Sequence, residues 1–230
     1  MRWLGWDREP ASVPPVSRAA GLKRGYTQGA RRLASRSMLG LARTRVTPNA
    51  LTAAGVSLCL AASVLVFFEN RNEILFFWLG AVLFVSGSLL DILDGALART
   101  SGKGTPFGAF LDSTTDRVSE AFMLGAIALV FARHGQTVAL TLTIAAISGS
   151  FLVSYTRARA EALGLRGDVG VGSRAERVVV ITAGLVLAPW GVLPWAIALL
   201  TATAWLTVVQ RVLHVRTQLL SGGSNGFHKR

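Results

Sequence analysis

Four aspartates lie at the edges of two apolar stretches, with spacings that place them on two helix faces. Asp91 and Asp94 are three residues apart, and Asp112 and Asp116 are four residues apart. Residues at these spacings share a helix face, and a short connection would bring the two pairs together. Carboxylates beside a membrane core are energetically unfavourable and indicate a functional site. We therefore predict that the four aspartates form one site.

The donor atoms of this site favour a hard cation. Carboxylates without an accompanying His or Cys are typical ligands of Mg²⁺ or Mn²⁺ rather than of zinc. Four negative charges exceed what one divalent ion needs, so we expect two ions, an arrangement that clamps phosphoryl groups during displacement reactions. Intramembrane acids also serve as the permeation site of cation or proton transporters. We disfavour a transporter because these acids concentrate at one face.

Small and basic residues accompany the acids. Gly95 and Gly108 would let a backbone or a ligand approach closely. Arg99 is suited to neutralising a phosphate or to pairing with one of the carboxylates. The segment therefore has the residue types that a phosphate-binding metal site requires.

The composition predicts an all-α integral membrane protein. Of 230 residues, 51% are hydrophobic and only 16% are charged. The single cysteine, Cys59, excludes an intrachain disulfide and a multi-cysteine zinc site. The excess of 24 Lys and Arg over 12 Asp and Glu has no nucleic-acid motif beside it, so we expect membrane lipids rather than nucleic acid as partners.

Six apolar stretches are each near the length of about 20 residues that a spanning helix requires. They cover residues 50–69, 74–94, 109–132, 137–160, 176–190 and 192–213, of which the fifth is the shortest. Before them, an apolar stripe with flanking basic residues over 17–41 predicts an amphipathic helix on the membrane surface. The expected organisation is therefore an N-terminal segment over 1–45, a six-helix domain over 46–215 and a tail over 216–230.

The basic residues predict the orientation. With six spans, all Lys and Arg except Arg71 and Arg133 fall on one side of the membrane. The positive-inside rule places that side in the cytoplasm. We therefore expect a multi-pass protein of the cell membrane with both termini and the aspartates in the cytoplasm.

The segment from Asp91 to Asp116 fits the pattern D-x2-D-G-x2-A-R-x8-G-x3-D-x3-D at every specified position. It thereby resembles the CDP-alcohol phosphatidyltransferase family. The resemblance implies six transmembrane helices, a homodimer and a two-metal centre held by Asp91, Asp94, Asp112 and Asp116. It also implies that Asp116 is the general base. An acceptor alcohol would attack the β-phosphorus of CDP-diacylglycerol, and CMP would leave.

The same resemblance implies a donor site. The element Pro48-Asn49-Ala-Leu-Thr52 is similar to a P-[ND]-x-x-T element that lies beside the cytidine pocket in the family. Ordinary helix capping explains Pro48 and Asn49 equally well. The residues that the resemblance assigns to CDP-diacylglycerol binding are Asn49, Thr52, Gly95, Arg99, Thr105 and Gly108.

Four arginines between the fourth and fifth stretches suggest recognition of a phosphate on the acceptor. They are Arg157, Arg159, Arg174 and Arg177. Positive-inside flanking charge explains some of them, and Arg157 and Arg159 cannot share a helix face. The region is similar to the prokaryotic phosphatidylinositol phosphate synthases of this family, although Arg157 stands where Lys is common. The resemblance implies inositol 1-phosphate as the acceptor. The alternative is glycerol 3-phosphate, the acceptor of phosphatidylglycerophosphate synthases.

Overall fold

The chain is described from a computed structural model over residues 47–101 and 105–223. These residues form α-helices and connecting segments, of which residues 163–173 are the longest described, and no strand occurs among them. The helices are α1 (Pro48–Phe67), α2 (Glu73–Ser101), α3 (Pro106–Arg133), α4 (Thr137–Ala162), α5 (Arg174–Val186) and α6 (Leu193–Gly223), with 3-10 turns at Glu69–Arg71 and Ala188–Trp190. The all-α prediction is confirmed for this part of the chain.

Side-chain caps define where three of the helices begin. Thr47 and Thr105 accept hydrogen bonds on Oγ1 from Ala50 N at 3.3 Å and Gly108 N at 2.9 Å, and a proline opens each helix. Ser173 forms a reciprocal capping box with Glu176 at the start of α5. These caps fix the first turns of α1, α3 and α5, which carry predicted site residues.

Close packing of α1 against α2 positions the first aspartate pair. A Cβ added at Gly87 would lie 2.6 Å from both Gly55 O and Cys59 Sγ. Glycine is therefore required here for the backbones to approach. Because Gly87 precedes Asp91 by one turn, this contact holds the end of α2 against the start of α1.

Four of the described helices are long and apolar enough to cross a membrane. They are Pro48–Phe67, Glu73–Ala98, Thr137–Ala162 and Leu193–Ser221. Helix α3 has sufficient length, but it carries Asp112, Asp116, Arg117 and Glu120 within its first 15 residues. Helix α5 has only 13 residues. The expected membrane protein is therefore supported, whereas six spans stay a prediction.

The predicted ends of the chain fare differently. The amphipathic helix expected over 17–41 lies outside the described residues. At the other end, α6 continues to Gly223, beyond residue 215 where the predicted domain ends.

The core between the helices is apolar and includes Phe84, Met123, Ile127 and Leu200, each at most 2% exposed.

Candidate active site

Three of the four aspartates come together where α2 meets the start of α3. One carboxylate oxygen from each of Asp91, Asp112 and Asp116 lies within 4.8 Å of the others. Asp91 is buried, and the other two are half-buried. Oxygen atoms at this spacing are suited to a shared hard cation. The predicted pairing of the two helices is thus present.

Asp94 lies outside this group of three and faces α1. It is 2% exposed, and its Oδ2 accepts a short hydrogen bond from Thr52 Oγ1. Its other oxygen, Oδ1, is buried and has no hydrogen-bond partner among the described residues. A buried oxygen of this kind normally has a partner. The unpartnered atom, together with the three grouped carboxylates, fits the divalent ions expected from the sequence.

A cavity of about 430 Å³ lies between the start of α1, the end of α2 and the start of α3. Its lining includes five of the six predicted donor-site residues, namely Asn49, Thr52, Gly95, Thr105 and Gly108, together with Asp94 and Asp112. The side chain of Arg99, the sixth, lies outside the described part of the structure. A Cβ on Gly108 would lie 3.1 Å from Thr105 Oγ1 and would crowd this wall.

A second cavity of about 580 Å³ lies on the other side of the aspartates, between α3, α4, α5 and α6. Arginines from all four helices line it, namely Arg117, Arg157, Arg174, Arg177 and Arg211. Three of the four predicted acceptor arginines are among them. Arg159 is exposed and is not part of this lining. Asp112 and Asp116 also line this cavity, so the carboxylates border both cavities.

Arg174 contacts the aspartates directly. Its Nη1 makes short ion pairs with Asp91 Oδ2 and Asp116 Oδ1. Burial alone would lower the pKa of Arg174, but the charges of Asp116 and Asp91 outweigh it and hold the pKa above its usual value. The guanidinium therefore stays charged between two of the predicted metal ligands.

Arg177 is held one turn further along α5. Its Nε and Nη2 donate to the two carboxylate oxygens of Glu120 at 2.7 and 2.9 Å, and its Nη1 donates to Gly172 O at 3.0 Å. The two side chains are only 7% and 13% exposed. Such a bidentate pair fixes the guanidinium geometrically. It also ties α5 to α3 one helical turn after Asp116.

Two residues of this second cavity were missed from the sequence. Arg211 is 8% exposed within α6, where its Nε donates to Val169 O at 2.8 Å. A charge inside a predicted span was a usable signal for it. Glu120 stands four residues after Asp116, so extending the helix face by one turn would have found it.

Comparison with known proteins bears on this geometry. The family model for CDP-alcohol phosphatidyltransferases matches residues 45–217, which is most of the chain. The chain belongs to this family. The family predicted from the aspartate pattern is confirmed, and the protein is therefore a membrane-associated transferase. Membership of this family also argues against a cation or proton transporter.

Curated relatives within the family resemble most of the chain. An archaetidylinositol phosphate synthase of Pyrococcus horikoshii is 36% identical over 79% of this chain and 90% of its own length. A phosphatidylinositol phosphate synthase of Mycolicibacterium smegmatis is 37% identical over 76% of this chain and 80% of its own length.

A solved member of the family has the same fold. It is the phosphatidylinositol phosphate synthase of Mycobacterium tuberculosis with CDP-DAG bound, which is 33% identical with a TM-score of 0.72 and covers 81% of this chain and 94% of its own. The same protein has been solved with manganese and citrate, with a TM-score of 0.71 over 80% of this chain and 89% of its own.

Proposed function

We propose that this enzyme transfers a phosphatidyl group from CDP-diacylglycerol to inositol 1-phosphate, giving phosphatidylinositol phosphate and CMP. The observation that carries the proposal is the position of the carboxylates between two unlike cavities. Asp112 lines both cavities, and among the described residues arginines line only the larger one. A donor and a phosphorylated acceptor can therefore meet at the same carboxylates.

The smaller cavity suits the cytidine diphosphate part of the donor. Its wall offers Asn49, Thr52 and Thr105 as hydrogen-bonding groups, and Gly95 and Gly108 leave room for the ligand. Arg99 completes this predicted donor set. The bound CDP-DAG in the solved relative supports a nucleotide-linked lipid as donor.

An apolar groove between α2 and α5 suits an acyl chain of the donor. It has a volume of about 750 Å³, and nearly all of its lining is apolar, including Val85, Leu89, Ile92 and Val178. Arg174, which contacts Asp91 and Asp116, is also part of this lining. A lipid tail in this groove would exclude water and leave its headgroup at the site.

The arginine-lined cavity suits a phosphomonoester. We assign Arg157, Arg174 and Arg177 to the acceptor phosphate, with Arg159 as an outer positive charge, and we add Arg211. Among the described residues Arg157 forms an ion pair only with Glu161, and both side chains are 55% exposed, so a phosphate can readily replace this weak contact. The names of the two relatives differ in the lipid part, archaetidyl or phosphatidyl, but both contain inositol phosphate. This shared part supports inositol 1-phosphate over glycerol 3-phosphate as the acceptor.

The chemistry assigned to the protein is proton removal and orientation. Asp116 lines the acceptor cavity, so it can take the proton from the attacking hydroxyl. The new bond joins that oxygen to the β-phosphorus, and the bond between this phosphorus and the CMP oxygen breaks. Asp91, Asp94, Asp112 and Asp116 would hold two Mg²⁺ or Mn²⁺ ions, which stabilise charge on phosphoryl oxygens when bound. Manganese in the solved relative supports a divalent ion.

The proposal also includes the setting of the enzyme. The distribution of basic residues supports a cell-membrane protein with both termini and the carboxylates in the cytoplasm, where soluble nucleotides and phosphates are available. We further propose a homodimer. An exposed apolar stripe on α3, formed by Val118, Phe122 and Leu129, is available for such contact.

An acceptor panel tests the proposal. Purified protein in lipid nanodiscs with CDP-diacylglycerol and Mn²⁺ receives inositol 1-phosphate, glycerol 3-phosphate or unphosphorylated inositol, and the initial rate of CMP release is measured. We expect the highest kcat/KM with inositol 1-phosphate and little release with inositol, because inositol lacks the group that the arginines bind. A higher kcat/KM with glycerol 3-phosphate would refute the assigned acceptor.

A further inference from the structure

Arg174 bridges two of the carboxylates that a divalent ion would also bridge. A single guanidinium nitrogen contacts carboxylate oxygens of Asp91 on α2 and Asp116 on α3, two of the three residues whose oxygens lie within 4.8 Å of one another. A cation that bridges the two carboxylates from the side on which this nitrogen lies would overlap with the nitrogen. The guanidinium and the ion are therefore alternatives.

The carboxylates need a positive charge in either state. The Asp91 side chain is only 7% exposed and that of Asp116 is 20% exposed, so water screens their repulsion poorly. Arg174 supplies one positive charge, whereas a divalent ion supplies two and binds oxygen ligands directly. The ion is thus the better partner, and the guanidinium is a counter-ion for the state without it.

The side chain of Arg174 can turn into the neighbouring cavity without movement of α5. Its side chain is 30% exposed and already lines the arginine-rich cavity. Its neighbour Arg177 is 7% exposed and is fixed to Glu120 by two hydrogen bonds. The Glu120–Arg177 pair therefore keeps α5 in place while the side chain of Arg174 turns.

We propose that Arg174 is the counter-ion of the metal-free carboxylates and that it leaves them on binding of a divalent ion to contact the phosphate of the acceptor. This inference rests on the proposed function. It gives the enzyme an order of binding, because the acceptor cavity gains its extra donor only after the ion is bound. By linkage, a bound phosphate also tightens binding of the ion.

Titration with Mn²⁺ tests the first half of the proposal. The dissociation constant is measured by isothermal titration calorimetry for the wild type, for Arg174→Gln and for Arg157→Gln, which removes an equal charge from the same cavity without touching the aspartates. We expect Arg174→Gln to bind Mn²⁺ about tenfold more tightly than the wild type, and Arg157→Gln to change affinity by less than about twofold. Equal or weaker binding by Arg174→Gln would overturn the proposal.

A second variant, Arg174→Lys, keeps the proposal testable if Arg174→Gln does not fold. Arg174→Lys keeps the charge but lacks the planar guanidinium fork, so its Mn²⁺ affinity should lie between those of the wild type and Arg174→Gln. Circular dichroism and the melting temperature of each metal-free variant identify those that fold. Wild-type-like affinity of a folded Arg174→Lys, with no folded Gln variant, would count against displacement.

Binding of inorganic phosphate tests the second half. Its affinity is measured with and without Mn²⁺, and neither measurement requires turnover. We expect Mn²⁺ to tighten phosphate binding in the wild type, and we expect this gain to be at least about fivefold smaller in Arg174→Gln. The same gain in both proteins would overturn the transfer of Arg174 to the acceptor. Failure of the acceptor panel with intact Mn²⁺ behaviour would instead refute only the assigned reaction.

Discussion

Buried acids occur at both ends of α1 and α3, but their partners differ. At the far end, Glu69 is 3% exposed, and its Oε1 accepts a hydrogen bond from Arg133 Nη1 at 2.8 Å and lies 3.3 Å from His134 Nε2. At the near end, Arg174 contacts Asp91 and Asp116, Thr52 donates to Asp94, and Asp94 Oδ1 lacks a partner in the described structure.

This difference separates a structural acid from a ligand-binding site. Glu69 joins the turn after α1 to the end of α3, and Arg133 also donates to Phe67 O at 2.9 Å, so the charges are balanced within the protein. Asp91, Asp94 and Asp116 bring three carboxylates together, and in the described part of the structure Arg174 is the one cation in contact with them. Such an excess is tolerated where an external cation completes the site.

The largest expected effect is on the aspartate side of this comparison. Asp116→Asn removes the proposed base while keeping the size of the side chain, so we expect kcat to fall by about 10³-fold. Binding of CDP-diacylglycerol should change little, because Asp116 does not line the donor cavity. CMP release and equilibrium binding of the donor are the measurements. The matched control is Glu69→Gln, which should keep its turnover.

An active Asp116→Asn enzyme would refute the role of Asp116 as base. Loss of turnover in Glu69→Gln at a temperature where it stays folded would instead remove the distinction between the two ends.

Glu120→Gln should lower both the stability of the fold and the affinity for the acceptor, with an effect on activity between those of Asp116→Asn and Glu69→Gln. It leaves the guanidinium of Arg177 buried against a neutral amide, and breaking a buried pair costs about 3 kcal/mol of the free energy of unfolding. Because α5 would also lose its tie to α3, KM for the acceptor should rise more than KM for CDP-diacylglycerol. Denaturation in detergent and the two KM values measure this. Equal increases in both KM values would contradict a positioning role.

Glu69→Gln should have the smallest effect, confined to stability. Arg133 is 31% exposed and can turn to water, so the loss should be about 1–2 kcal/mol. The melting temperature in detergent should fall, while Mn²⁺ affinity stays unchanged. Weaker Mn²⁺ binding in this variant would show that the two ends are coupled rather than independent.

The sequence predicted the grouping of Asp91, Asp112 and Asp116 because helix periodicity and one short connection suffice to bring them together. It predicted less about the acceptor cavity, because Arg157, Arg177 and Arg211 come from three helices whose relative rotation depends on tertiary packing. The spacing of Arg157 and Arg159 showed only that both cannot face one cavity. It could not show that Arg177 has three of its donors engaged by Glu120 and Gly172, since those contacts depend on how α5 packs against α3.

The sequence also predicted the membrane topology only in part. Hydropathy located all six described α-helices, yet α3 and α5 fall short of the properties of a lipid-exposed span. The reason in α3 is functional, because its first half carries the acids of the site. In α5 it is length, because the helix ends at Val186 and a 3-10 turn follows.

Competition between acceptors tests the central claim most directly. The enzyme in nanodiscs with CDP-diacylglycerol and Mn²⁺ receives equal concentrations of inositol 1-phosphate and glycerol 3-phosphate, and mass spectrometry identifies the lipid product. We predict phosphatidylinositol phosphate as the main product, with none formed when a chelator removes Mn²⁺. Phosphatidylglycerophosphate as the main product, or undiminished product in the presence of the chelator, would contradict the account.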